Sequence, residues 1–281
     1  MGDDSIGGRL SEFIGNLGGF LRKFIFSVLS VGPIPNHIAF ILDGNRRYAK
    51  KHNLKEGDGH RAGFVALLSM LKYCYELGVK YVTIYAFSID NFNRRPDEVQ
   101  YIMGLMHEKI EGMLKEESFV RSYGVRVHFL GDLKLLHQSV RIAAEKAMRV
   151  TANNTKFVLL ICVAYTSTNE TVHSVHQCFK EKRRPMDKFQ EEEQQQQQQG
   201  LIKLVDLERN MYMALAPDPD ILVRTSGETR LSNFLLWQTA FCYLYSPAKL
   251  WPEISLWNLV WSVLNFQRAY PYLLKTKMKR Y

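Results

Sequence analysis

From residue 33 onward the chain alternates between two hydrophobic patterns. Runs that are apolar, β-branched or aromatic occur at His37–Leu42, Tyr81–Phe87, Val125–Leu130, Phe157–Ala164, Ile221–Val223 and Phe241–Tyr245. Between them the apolar positions recur at three- and four-residue steps over Gly59–Leu77, Asp97–Tyr123, Leu135–Thr151, Ser167–Lys182, Val205–Leu215 and, after Pro252, Ile254–Tyr270. Strands without polar alternation are buried on both faces, and helices between them supply the crossovers. The pattern predicts an α/β fold, a mainly parallel six-stranded sheet flanked by helices. Ligands of such sheets bind where the strands end and the loops begin.

Two stretches depart from this alternation. Before Gly32-Pro33, residues Leu10, Phe13, Ile14, Leu17, Phe20, Leu21, Phe24, Ile25, Val28 and Leu29 form an apolar stripe interrupted by Arg22 and Lys23. It predicts an N-terminal amphipathic helix over residues 1–32, roughly 30 Å long. Such a helix either lies in a membrane interface or packs on the domain or a partner. Asp3 and Asp4 replace the basic start of a signal peptide, and Ile6 stands where myristoylation requires Ser or Thr. Residues 181–200 are low in complexity, with three glutamates followed by six glutamines, and predict a loop inserted in the domain of residues 33–281.

A length of 281 residues, 46% of them hydrophobic, suffices for one large α/β domain. The formal charge of +9 calls for an anionic partner: phosphate, nucleic acid or an acidic membrane face. The four cysteines, Cys74, Cys162, Cys178 and Cys242, show no metal-ligand spacing. They fit reduced thiols facing the cytosol, two of them in strands. No apolar run reaches the length of about 18 residues that spans a bilayer.

Three loops at strand ends carry the candidate chemistry. The first, D-G-N-R-R-Y-A-K from Asp43 to Lys50, follows I-A-F-I-L. Gly44 lets backbone N–H groups approach a ligand closely, and Asn45, Arg46 and Arg47 add donors. A carboxylate beside such an anion cradle makes chemical sense if a divalent cation joins Asp43 to a phosphate; a solvated Asp-Gly turn is the alternative. The second loop, Phe87 to Arg95, supplies Ser88, Asp90, Asn91 and Arg94, with Phe92 as an apolar wall. The third, Arg224 to Asn233, sets Arg224 and Arg230 around Ser226, Gly227 and Ser232. Charge-assisted hydrogen bonds are worth about 1.5–3 kcal/mol each, so several arginines meeting on one diphosphate would dominate its affinity.

The strings H-I-A-F-I-L-D-G-N-R-R-Y-A-K, Y-A-F-S-I-D-N-F, I-L-V-R-T-S-G-E-T-R-L-S-N-F-L-L-W-Q and L-W-P-E resemble the signature regions of the cis-prenyltransferases. That family comprises the undecaprenyl and dehydrodolichyl diphosphate synthases and the plant rubber transferases. The resemblance runs from about Pro33 to Tyr270 and is closest to plant members. It implies elongation of an allylic starter, farnesyl diphosphate, by successive isopentenyl diphosphates with cis double bonds. By motif position Asp43 holds Mg2+. Gly44, Asn45, Arg46, Arg47 and His60 grip the allylic diphosphate, and Tyr48 lies beside the starter. Arg224, Arg230 and Ser232 hold isopentenyl diphosphate; Ser88, Asp90, Phe92 and Arg94 line the reaction centre; and Asn91 stands where the new unit loses its proton. The growing chain needs a hydrophobic product tunnel, for which Phe64–Leu77 and Ile102–Leu114 have suitable residues.

Departures from the family pattern qualify these implications. Glu56 stands where many members carry arginine, and Tyr243 replaces a second metal-binding glutamate of bacterial enzymes. Self-sufficient members end in an Arg-x-Gly tail, and no glycine follows Gly227 here. The resemblance therefore implies a heteromer in which a homologous noncatalytic partner subunit supplies the tail. It places the protein at the cytosolic face of the endoplasmic reticulum membrane or on a cytosolic lipid or rubber particle. A noncatalytic subunit would lose the metal aspartate and keep the tail, the reverse of this chain. No nucleic-acid-binding motif or G-x-x-x-x-G-K-[ST] loop occurs, and the only adjacent aspartates are Asp3-Asp4.

Overall fold

The computed structural model describes residues 18–182 and 202–278; the rest of the N-terminal stripe and nearly all of the glutamine-rich stretch lie outside them. Six strands form one sheet: β1 (His37–Ile41), β2 (Tyr81–Ser88), β3 (Val125–Leu130), β4 (Phe157–Tyr165), β5 (Ile221–Arg224) and β6 (Tyr243–Tyr245). Their order is β3-β4-β2-β1-β5-β6, and every pairing is parallel. Helices α1 (residues 18–29), α2 (Asn45–Lys51), α3 (Glu56–Leu77), α4 (Pro96–Met113), α5 (Phe119–Ser122), α6 (Gln138–Val150), α7 (Ser167–Lys182), α8 (Leu204–Asn210) and α9 (Leu256–Met278) complete the framework.

The fully apolar strands are explained by burial on both faces. On β1, Ile38 and Phe40 join the larger core with residues of α1, α3, α4, α6 and α9. Ala39 and Ile41 face a smaller core with Tyr165, Met213, Phe234 and Leu235. The strand order also places the chemistry. β1 lies between β2 and β5, so the three loops singled out by their polar residues leave three adjacent strands at one edge. That is the crevice where open parallel sheets bind ligands.

Several boundaries differ from the pattern. The long helix expected over 97–123 ends at Met113, and Ser118, whose Oγ accepts the Arg121 N–H at 3.3 Å, caps the separate α5. Helix α9 runs past Tyr270 through Pro271, and β6 starts only at Tyr243, leaving Cys242 in the preceding loop. Of the four thiols one therefore sits in a strand, Cys162, rather than two.

The α1 segment packs on the domain through one face. Phe26 and Leu29 are buried in the larger core, and Arg22 pairs with Glu76 of α3 at 2.5 Å. Its outer face leaves Phe20, Phe24 and Val28 exposed, followed by Val31.

His37 at the start of β1 is fully buried, with Nδ1 2.6 Å from the Pro217 carbonyl and Nε2 2.7 Å from Thr83 Oγ1. Burial lowers its pKa to about 4. The unfolded chain takes up this proton near pH 6.5 while the folded one refuses it until about 4, so stability falls as pH drops through that window. The loss is roughly 3 kcal/mol at its full extent. We expect the urea midpoint to decline between pH 6.5 and 4, and to decline less steeply in His37→Asn. An equal slope in the variant would assign the acid loss to other groups.

Candidate active site

The Asp43 loop is built by close backbone approach. Gly44 has φ +116°, and a Cβ there would lie 2.6 Å from Ser226 Oγ, so only glycine lets the β1 and β5 loops meet. The Asp43 carbonyl accepts from Thr225 Oγ1 at 2.6 Å, Ser226 Oγ at 2.9 Å and the Trp251 N–H at 2.9 Å. Helix α2 then crosses α3 at Gly59 and Gly63, where a Cβ would come within 2.2 Å of the Asn45 carbonyl and of Asn45 Oδ1 respectively. The buried Trp251 locks this crossing by donating Nε1–H to the Gly63 carbonyl at 2.8 Å.

On this frame the charged groups interdigitate. The Asp43 carboxylate accepts from Arg224 Nη2 at 2.8 Å and Arg47 Nη2 at 3.0 Å. Burial pushes its pKa up, but the bonds and charges of Arg224 and Arg47 outweigh that and hold it below the ordinary carboxylate range. Arg224 is buried and also donates Nη1–H to the Arg230 carbonyl at 2.5 Å and Ser232 Oγ at 2.7 Å. Arg94 pairs with Glu98 at 2.8 Å, Arg46 reaches the same carboxylate at 3.6 Å, and Glu228 bridges Arg47 and Arg230. Glu56 turns to Arg95 at 3.1 Å.

Two adjoining cavities share this cluster. The inner one, about 680 Å³, has Asp43, Asn45, Arg46, His60, Ser88, Asp90, Asn91, Arg94, Arg224, Arg230 and Ser232 at its polar end. Its other walls are mainly apolar: Phe64 and Leu67 of α3, Ile102, Leu105, Met106, Ile110 and Met113 of α4, and Phe129 and Ile161 of the sheet, with Lys109 of α4 the one charged group among them. The outer one, about 730 Å³, is lined by Asp43, Gly44, Asn45, Arg46, Arg47, Lys50, His60, Arg94 and Arg230 among others. Three buried polar atoms on these walls, Asn45 Oδ1, His60 Nε2 and Arg224 Nε, have no protein partner. Such atoms are costly to bury unless a ligand meets them. Burial, then the charge of Arg94, lowers the His60 pKa, so its ring is neutral near pH 7.

Thirteen of the fifteen residues to which the resemblance gives a role thus line the cavities. Two do not line them: Tyr48 lies tilted against His52, ring centroids 4.3 Å apart, and Phe92 packs edge-on against Phe87 at 4.9 Å, holding the wall from behind. Asn91 lines the inner cavity, but its Oδ1 accepts the Ser88 N–H at 3.1 Å, completing a capping box. Sequence reasoning passed over Glu98, Glu228, Thr225 and the role of Trp251. Glu98 had a signal, the four-residue step from Arg94; Trp251 had only its place in L-W-P-E.

The family described as putative undecaprenyl diphosphate synthase matches residues 41–271. The chain is 55% identical over 282 residues to dehydrodolichyl diphosphate synthase CPT3 of Solanum lycopersicum, covering 96% of this chain and 97% of that one. It is 58% identical over 268 residues to rubber cis-polyprenyltransferase HRT2 of Hevea brasiliensis, with 93% and 94% covered. It is 40% identical over 262 residues to the human dehydrodolichyl diphosphate synthase complex subunit DHDDS, with 91% and 74% covered. Among solved structures, lavandulyl diphosphate synthase from Lavandula x intermedia in complex with dimethylallyl diphosphate superposes with a TM-score of 0.73. The two are 28% identical, over 83% of this chain and 95% of that one.

Proposed function

The chain belongs to the undecaprenyl diphosphate synthase family, and from that membership we propose how its residues divide the work of cis-prenyl chain elongation. The starter, farnesyl diphosphate, places its diphosphate in the outer cavity among Gly44, Asn45, Arg46, Arg47, His60 and Arg94. Isopentenyl diphosphate is held by Arg224, Arg230 and Ser232. The allylic C–O bond breaks, and the diphosphate leaves with its electron pair. The double bond of isopentenyl diphosphate then bonds to the allylic carbon, and the new unit loses a proton. An amide is a poor base, and Asn91 Oδ1 is already engaged. Asn91 therefore orients this unit beside Ser88 and Asp90, and the departing diphosphate takes the proton.

Mg2+ fits the donor set. Asp43 is ionised and lies on both cavity walls, while among the described residues no three His, Cys, Asp or Glu side chains cluster. One carboxylate completed by substrate oxygens and water is the usual magnesium arrangement. When bound there, the ion would neutralise charge on the leaving diphosphate. Asp43 holds its ionised state through Arg224 and Arg47 and so needs no proton transfer to receive it.

The apolar end of the inner cavity receives the growing chain as a product tunnel between α3 and α4. Product class follows the relatives, long polyprenyl diphosphates of dolichol or rubber type. A homologous partner subunit completes the enzyme, as the human relative's designation as a complex subunit suggests. The exposed Phe20, Phe24 and Val28 of α1 contact a membrane or lipid-particle surface.

One observation supports the assignment above all: two cation clusters and an apolar wall meet at the ends of three adjacent strands. The test incubates the protein with farnesyl and labelled isopentenyl diphosphates and Mg2+, with and without a plant partner subunit and anionic vesicles. Products are sized and the vesicles sedimented. We expect long products, most with the partner, and protein in the vesicle pellet. No extension of farnesyl diphosphate by folded protein in any combination would overturn the assignment; protein left in the supernatant would overturn the membrane contact alone.

A further inference from the structure

The loop that carries Arg230 and Ser232 has an unusual backbone. Ser232, Asn233 and Leu235 have φ of 48°, 57° and 47°, the left-handed region that L-residues other than glycine and asparagine avoid. Three such residues within four positions persist only where other groups hold them. The holding groups come mainly from the first turn of α7, the helix that follows β4, while Tyr85 Oη donates to the Ser232 carbonyl at 3.4 Å. The Ser167 N–H donates to the Asn233 carbonyl at 2.7 Å, and the Leu236 N–H donates to Ser167 Oγ at 2.7 Å. Thr168 grips the Asn233 side chain: its N–H donates to Oδ1 at 3.1 Å, and its Oγ1 lies 3.2 Å from Oδ1 and 3.1 Å from Nδ2.

The consequence reaches the reacting groups through Arg224. Its Nη1–H is donated to the Arg230 carbonyl and to Ser232 Oγ, so the loop's conformation sets where this buried guanidinium points. We propose that Ser167 and Thr168 of α7, acting through Asn233, are positioning residues that hold the isopentenyl diphosphate half of the site in its left-handed, binding-ready form. This rests on the assignment of Arg224, Arg230 and Ser232 made above. Asn45, Arg46, His60 and Arg94 of the starter half make no bond to α7, so the clamp bears chiefly on the isopentenyl diphosphate half, Arg230 being the clamped-loop residue described above that also lines the outer cavity. Asn233 lines the inner cavity, whereas Thr168 lines neither, so Thr168→Val is the variant that isolates the clamp from direct contact with substrate.

The test uses full-length protein with its partner subunit and three variants. Thr168→Val removes the hydroxyl while keeping shape. Asn233→Gly keeps left-handed freedom and removes the amide. Thr168→Ser restores the hydroxyl. Hydrogen exchange of the 230–236 amides is measured beside KM for each diphosphate and the thermal midpoint. In Thr168→Val and Asn233→Gly we expect loop exchange and KM for isopentenyl diphosphate each to rise on the order of tenfold, the effect of losing one or two hydrogen bonds. KM for farnesyl diphosphate and the midpoint stay near wild type, and Thr168→Ser behaves as wild type. Unchanged loop exchange in both variants overturns the clamp, as does a rise in exchange without the KM change, or equal shifts in both KM values. Wild-type protein that extends no starter would instead refute the functional assignment, and the exchange data would still decide whether the clamp holds the loop.

Discussion

Replacing Asp43 by Asn is expected to lower kcat/KM at least a hundredfold, about 3 kcal/mol of transition-state stabilisation, while the thermal midpoint moves by only a few degrees. The carboxylate is the single acidic group shared by both cavity walls and both loops, through Arg47 of the first and Arg224 of the third. An amide of the same shape keeps an oxygen for one guanidinium but removes the charge on which cation binding depends. The fold is protected because the loop is held mainly by its backbone: the Asp43 carbonyl keeps its bonds from Thr225, Ser226 and Trp251. Asp43→Ala should be equally inactive and less stable, since it leaves the buried Arg224 without its carboxylate. Steady-state incorporation of labelled isopentenyl diphosphate and thermal melts check both. Turnover within tenfold of wild type in well-folded Asp43→Asn would remove Asp43 from the mechanism.

What made Asp43 legible was an apolar run followed by clustered polar donors, a pattern shared by the three loops, with a glycine in the first and third of them. The strand pattern could say that those places lie at strand ends. It could not say that β2, β1 and β5 are neighbours, because strand order depends on crossovers the periodicity does not encode. The counter-charges were less visible still. Glu228 lies two residues from Arg230, yet nothing local says that it also reaches Arg47. Tyr48 and Phe92 illustrate the opposite error. Both sit inside the signature strings, yet Tyr48 turns to His52 and Phe92 packs behind Phe87, because a residue's place in a loop does not determine which way its side chain points. The helix ending at Met113 was hidden because Lys115–Glu117 are ordinary helix formers. The break comes with Ser118, whose hydroxyl bonds back to the Met113 carbonyl at 2.6 Å and caps the next turn.

Arg224→Met is the second large effect, and it should be visible in two independent measurements. The guanidinium donates to Asp43 and Ser232 Oγ and to the Arg230 carbonyl, and its Nε is buried without a protein partner. Removing it from a buried, hydrogen-bonded pair costs about 2–5 kcal/mol. The expected loss in kcat/KM for isopentenyl diphosphate is therefore on the order of a hundredfold. The pH profile supplies the second reading. Asp43 must be ionised, and in the wild type its lowered pKa keeps it so as pH falls. Without Arg224 two of the groups' lowering influences vanish, its hydrogen bond and its charge, while burial still raises the pKa and only Arg47 opposes it. The acid limb of activity must then move to higher pH. Arg224→Lys retains a charge but cannot span three acceptors, so it should move the limb less than Met does while still raising KM. A limb that stays in place in Arg224→Met, with KM raised, would mean that Arg224 serves the isopentenyl diphosphate alone and that Asp43 owes its ionisation to Arg47.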